Sequence, residues 1–138
     1  MKLRRFKDLR GGERESRIGS LIGIVTLIIF CIYGFAYQYF DTVVVLGMLF
    51  GIICSEMYLH CKARAAQCLN VASILCASFA LGLFFMNSYP VWADRLNNIS
   101  MYSSRGTLFP VITILIFQVA AILCEVVSCF RAREEGKQ

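Results

Sequence analysis

The chain has 138 residues, of which 58% are hydrophobic and only 17% charged, with fourteen Lys or Arg, nine Asp or Glu and a formal net charge of +5. Its mean hydropathy is +0.65, and its apolar share exceeds the roughly 45–50% of soluble domains. With the charges gathered at the ends and in a few short gaps, that composition excludes a disordered polymer, a disulfide-stapled secreted domain and a soluble enzyme, and it leaves room for one domain.

The chain opens on a basic tail, residues 1–17, carrying Lys2, Arg4, Arg5, Lys7, Arg10, Arg14 and Arg17 among the acids Asp8, Glu13 and Glu15. Such bases suit anionic lipid headgroups, at about 1 kcal/mol each near the surface, so membrane lipid is the expected contact and no nucleic-acid partner is expected. Gly11-Gly12 argue against one long helix here, but Leu3, Phe6 and Leu9 at three-residue spacing predict a short one lying on lipid or on a partner.

A bilayer core about 30 Å thick takes roughly 20 residues of helix, and four apolar runs of that length follow, at about 18–39, 42–60, 65–86 and 108–130. Each must be helical, because lipid offers backbone groups no partner and period-two alternation is missing. The first run follows basic residues as a cleaved signal peptide would. It is longer than the usual apolar region of such a peptide and meets no small-x-small site before Asp41, so an anchor is expected. Spans one and two meet near Asp41, and spans two and three through Cys61-Lys62-Ala63-Arg64, which predicts tight hairpins. The expected fold is an all-α membrane protein, a four-helix antiparallel transmembrane bundle over 18–130 flanked by tails 1–17 and 131–138.

Orientation follows the bases. Twelve of the fourteen lie in the N-terminal tail, the second gap and the C-terminal tail with Arg131, Arg133 and Lys137, against Arg95 and Arg105 in the remaining long connection. Both termini are therefore expected in the cytoplasm, the protein in the cell membrane, and the loop 87–107 outside. Within that loop Pro90 fits a helix start, and Trp92, Leu96 and Ile99 recur on one face. This predicts a short external interfacial helix anchored by Trp92. Asp94, Arg95, Asn97, Asn98 and Arg105 are candidates for contact with an external partner, and Asn98-Ile99-Ser100 fits a glycosylation sequon, relevant only in a eukaryotic secretory pathway. Pro110 is tolerated in the first turn of the fourth span.

Glu56 and Glu125 are acids inside apolar runs, where a charge costs a few kcal/mol or more unless paired or wet. With His60, four residues after Glu56, they form a candidate intramembrane polar site: pairing with Lys62, Arg64 or Arg131, a socket for a partner's Arg, and an ion or proton relay are all compatible with the spacing. Gly19 and Gly23 in the first span, and Gly47 and Gly51 (then Ser55) in the second, mark close helix packing, within the bundle or against another subunit. Asn70, Ser73 and Ser78 give the third span a mildly polar side, read as bundle interior rather than pore lining. The seven cysteines, at 31, 54, 61, 68, 76, 124 and 129, fall in spans or at their cytoplasmic ends, and no C-x-x-C motif occurs. Neither a disulfide scaffold, a metal site at His60, Cys61 and Cys68, nor any cofactor is expected.

Small multidrug exporters need an acid in the first span, which this run lacks; quinone-coupled disulfide enzymes and tetraspanins need external cysteines. The segments Phe84-Phe85-Met86-Asn87-Ser88, Val91-Trp92-Ala93-Asp94, Asn97-Asn98-Ile99, Met101-Tyr102 and Pro110-Val111-Ile112 resemble small uncharacterised four-span proteins of Gram-positive anaerobes that occur beside carbohydrate ABC importers. That resemblance implies an accessory membrane subunit and carries no catalytic residue. The expectation is thus a non-enzymatic subunit that binds and stabilises or tunes a larger transporter, its partners being integral membrane subunits such as transporter permeases. The alternatives are an autonomous small ion or solute transporter or channel, which would be a homo-oligomer, and a holin-like lysis protein.

Overall fold

The computed structural model describes residues 11–37, 40–61, 66–99, 101 and 106–135. Leu3, Phe6, Leu9, Lys62, Arg64 and Arg105 lie outside the described residues.

Among the described residues the regular structure is helical: α1 (Gly11–Ala36), α2 (Thr42–His60), α3 (Ala66–Asn87), α4 (Tyr89–Asn97) and α5 (Leu108–Glu135). Four of these are long and apolar enough to cross a membrane, over Gly12–Ala36, Thr42–His60, Ala66–Asn87 and Leu108–Arg131. No more than 33% of the apolar window of any of them is buried inside the protein. The outward faces therefore carry Leu, Ile and Phe all round, a surface that lipid solvates and water does not. By the length and composition of its helices the chain is a multi-pass membrane protein.

Three helix bounds differ from the sequence reading. The first helix starts at Gly11 rather than near residue 18, and it ends at Ala36, so residues expected in a separate tail are helical. The last helix runs on to Glu135 instead of stopping near residue 130. Both extensions have the same cause: polar residues of one helix find partners on the other. The Ser128 hydroxyl donates to the Gly12 carbonyl at 2.7 Å, and Arg131 donates to Glu15 at 2.6 Å. Hydropathy alone ends a span where charge begins, whereas hydrogen bonds between helices continue beyond that point.

Local chemistry sets the other ends. Asp41 caps α2, its carboxylate accepting from the backbone N–H of Val43 and Val44, and it also accepts from the Asn87 amide at the end of α3. Ser88 precedes α4, with Pro90 in the first turn, and Asn98 closes it in the left-handed conformation at φ 54°. Gly106, at φ +118°, lies so close to Tyr33 that a Cβ would sit 2.7 Å from the ring hydroxyl. Both its backbone angle and that approach demand glycine.

The interior divides lengthwise. Towards Asp41 and α4 it is apolar, with Phe30, Tyr33, Val44, Met48, Ala80 and Phe84 among its members. Phe30 meets Phe84 edge-on with ring centroids 5.4 Å apart, the arrangement the ring quadrupoles favour. Towards the start of α1 and the end of α5 the buried residues include the polar Ser16, Ser20, Ser55, Asn70, Glu125 and Ser128, beside a smaller apolar cluster of Tyr58, Leu59 and Ala66.

Candidate functional site

The polar half of the interior begins with small residues. At Gly19 a Cβ would lie 3.0 Å from Glu125 Oε1 and 3.1 Å from the Ala121 carbonyl, so α1 and α5 approach at near backbone contact. Gly47 does the same towards Ala80 (3.1 Å) and Gly51 towards the Ser73 carbonyl (3.4 Å), while Gly23 faces Ile52 at 3.3 Å. All four candidate packing glycines thus face other helices of this chain. Close backbones bring short side chains within hydrogen-bonding reach across the bundle, which is how small and hydroxylated residues hold helices together in lipid.

Glu125 on α5 is the centre of this network. Its Oε2 accepts from the Ser16 hydroxyl at 2.9 Å, and its Oε1 from Ser55 at 2.6 Å. Ser16 and Ser55 are themselves 2.9 Å apart. One turn along α1, Ser20 donates to Glu56 at 2.7 Å, and Arg17 pairs with the same carboxylate at 3.1 Å. Asn70 on α3 extends the cluster by donating to Ser128 at 3.2 Å. Ser73 donates to the Gly51 carbonyl at 2.8 Å, tying α3 to α2.

The structure therefore brings Glu56 and Glu125 together through hydroxyls on one face of α1, and leaves His60 exposed at the last residue of α2. Among the described residues Arg17 meets Glu56, and Arg131 reaches Glu15 rather than Glu125; Lys62 and Arg64, the other expected partners, lie outside the described residues. Spacing along one helix cannot register a base on another helix. Asn70 and Ser73 are buried, but Ser78 is exposed, because it lies two helical turns and a further 80° from Asn70 at 100° per residue.

Gln118, Ser16, Ser20 and Ser128 escape a reading based on charge, although their signal is present in the sequence. Gln118, Ala121, Glu125 and Ser128 recur at three- and four-residue steps along α5, one helical face. Gln118 is buried, and its Nε2 donates to the Ala77 carbonyl at 3.2 Å. Its Oε1 and Asn70 Oδ1 are buried oxygens without a partner among the described residues. A cavity of about 20 Å³ opens between the four long helices, with Glu125, Gln118, Ser20, Ser55 and Ser73 on its wall.

At the other end of the protein α4 forms a surface. The Trp92 indole N–H donates to Ser88 Oγ at 3.1 Å, and its ring lies 6.2 Å from that of Phe85. Val91 is the residue of α4 that is buried. Leu96 and Ile99, expected on one face with Trp92, are exposed. Asp94, Arg95 and Asn98 line a cleft of about 670 Å³ shared with Thr107 and Phe109 at the start of α5. Asn97 stands apart on the exposed side, its amide bonded to the Ala93 carbonyl at 3.0 Å.

No protein-family model matches the chain, and no curated protein or solved structure is similar to it.

Proposed function

We propose that this chain is a non-enzymatic accessory subunit that binds and stabilises or tunes a larger membrane transporter, and that the partner to test first is the carbohydrate ABC importer implied by the sequence resemblance. The observation that carries this reading is the surface built around α4. Phe85, Met86, Tyr89, Trp92 and Leu96 line an apolar groove of about 490 Å³, and the cleft with Asp94, Arg95 and Asn98 lies on the same short helix. Leu96 is 81% exposed, one turn along α4 from Trp92, whose indole is held by its hydrogen bond to Ser88. A rigid apolar groove with polar groups beside it matches the anatomy of an interface, an apolar centre and a polar rim.

On this reading the four long helices form an antiparallel bundle in the cell membrane, both termini lie in the cytoplasm, and α4 lies at the external interface. The distribution of twelve of the fourteen bases supports that orientation. Affinity purification from native membranes in gentle detergent tests the role. Permease subunits should co-purify, and replacing Tyr89 and Leu96 with Ser should lower their recovery while leaving the amount of the chain in the membrane unchanged. Recovery of the chain alone overturns the reading.

A second reading, an oligomeric small ion or solute transporter, is favoured by the convergence of Glu56 and Glu125 on the hydroxyls of α1. Proteoliposome flux that disappears in Glu56→Gln and Glu125→Gln would establish it; unchanged flux in both would remove its mechanism.

A further inference from the structure

We propose that the cavity between the four long helices binds one dehydrated monovalent metal cation. The cavity measures about 20 Å³, and a void of roughly 10–15 Å³ on this measure already holds a body the size of a water molecule. The polar residues on its wall are Glu125, Ser20, Ser55, Ser73 and Gln118, set among Met48, Ile52, Ala77 and Ala121. Oxygen-bearing side chains thus come from all four helices, and oxygen is the donor that hard cations prefer.

The argument rests on a surplus of acceptors. The hydrogen of Ser20 goes to Glu56, that of Ser55 to Glu125 and that of Ser73 to the Gly51 carbonyl. These hydroxyls therefore have lone pairs, not hydrogens, left to turn towards the void. Gln118 is 3% exposed; its Nε2 is used on Ala77, and its Oε1 has no partner among the described residues. Glu125 is 4% exposed and is met by the hydroxyls of Ser16 and Ser55, while the nearby Arg17 guanidinium is held on Glu56.

A water molecule would supply two hydrogens and leave a buried carboxylate that meets no countercharge among the described residues, a costly state in a lipid-embedded bundle. A cation satisfies the lone pairs and cancels the charge together. One carboxylate matches one positive charge, and a divalent ion would leave the interior with a net charge of its own. The site stands apart from both proposed roles, because occupancy can be read without a partner and without flux.

The test is thermal unfolding of the purified full-length chain in chloride salts of Na⁺, K⁺ and Li⁺ against choline, at constant pH and ionic strength. A fitting metal ion should raise Tm saturably by a few degrees, as a ligand bound by the folded state alone does, and choline, too large for the void, should not. Glu125→Gln should abolish the response, Gln118→Leu should weaken apparent affinity roughly tenfold, about 1.4 kcal/mol, and Arg131→Ala should respond as the unaltered chain does. No cation-specific rise in the unaltered chain overturns the proposal, leaving a water molecule and a protonated Glu125 in its place. An undiminished response in both Glu125→Gln and Gln118→Leu also overturns it, by putting the ion elsewhere. Should Glu125→Gln fail to fold, Gln118→Leu decides alone: a tenfold loss supports the site and unchanged affinity overturns it.

Discussion

The two halves of the bundle interior are built on opposite principles. The half near Asp41 and α4 is filled by large side chains, with Phe30 and Phe84 in edge-on contact and Val111 and Ile114 fully buried beside them. In the half near the start of α1, Gly19 and Gly51 let the backbones close in, Ser16, Ser55, Asn70 and Ser128 bridge the helices with hydrogen bonds, and a smaller apolar cluster of Tyr58, Leu59 and Ala66 supplies the buried bulk. In lipid neither half gains from the hydrophobic effect between helices, since acyl chains are as apolar as leucine. The first half is held by dispersion and shape, the second by close approach and polar pairing. A half held by shape specifies a structure, whereas a half held by polar pairing around a void also offers chemistry.

The sharpest way to break the apolar half is Phe84→Ala. Removing a buried ring costs about 3–5 kcal/mol in water-soluble cores, transfer and cavity terms together; in lipid the cavity term remains, and here the change also strips the edge contacts to Phe30 and Tyr33. Denaturant titration in mixed micelles should show this as the largest loss of the series. In the polar half the comparable lesion adds bulk instead of removing it. Gly19→Leu drives a side chain into the Ala121 carbonyl and Glu125, and overpacking of this kind costs about 1–3 kcal/mol. The same change at Gly82, where nothing lies within 4 Å of the added Cβ, should leave stability unchanged, which separates close packing from a general effect of glycine replacement.

Ser128→Ala probes the polar half more gently. It removes the donor to the Gly12 carbonyl and an acceptor of Asn70 with almost no change in volume. Interhelical hydrogen bonds in membranes average about 0.6 kcal/mol and reach about 1.7, so a loss near the upper end is expected because two partners are left at once. A loss as large as that of Phe84→Ala would show that hydrogen bonding, not shape, carries the fold.

How much of this was legible in the sequence follows the same division. The four apolar runs read directly as helices, because length and hydropathy are properties of a segment by itself, and α2 has the bounds expected of the second span. Gly19, Gly23, Gly47 and Gly51 could be marked as packing positions from their spacing, but not which helix each would meet. Glu56 and Glu125 were visible as acids among apolar residues, whereas Arg17 as the partner of Glu56 was not, since that pair joins residues 39 apart. Gln118 was overlooked for a different reason: an uncharged amide hardly disturbs hydropathy, yet in an apolar interior its unmatched oxygen matters as much as a charge does.

The smallest expected effect belongs to Arg131→Ala, where the polar half reaches the surface. Arg131 donates to Glu15 at 2.6 Å, a short contact that on distance alone ranks with the strongest in the protein. Distance is a poor guide here, because the Arg131 side chain is 53% exposed and the pair is open to solvent and salt. Exposed ion pairs contribute about 0.2–1 kcal/mol, so Arg131→Ala should lower stability by less than Ser128→Ala, and the difference from the unaltered chain should shrink further as salt is raised. If the loss instead equals or exceeds that of Ser128→Ala and does not respond to salt, the ends of α1 and α5 are clamped from outside the bundle. The boundary between the two halves would then have to be drawn by charge at the surface rather than by hydroxyls within.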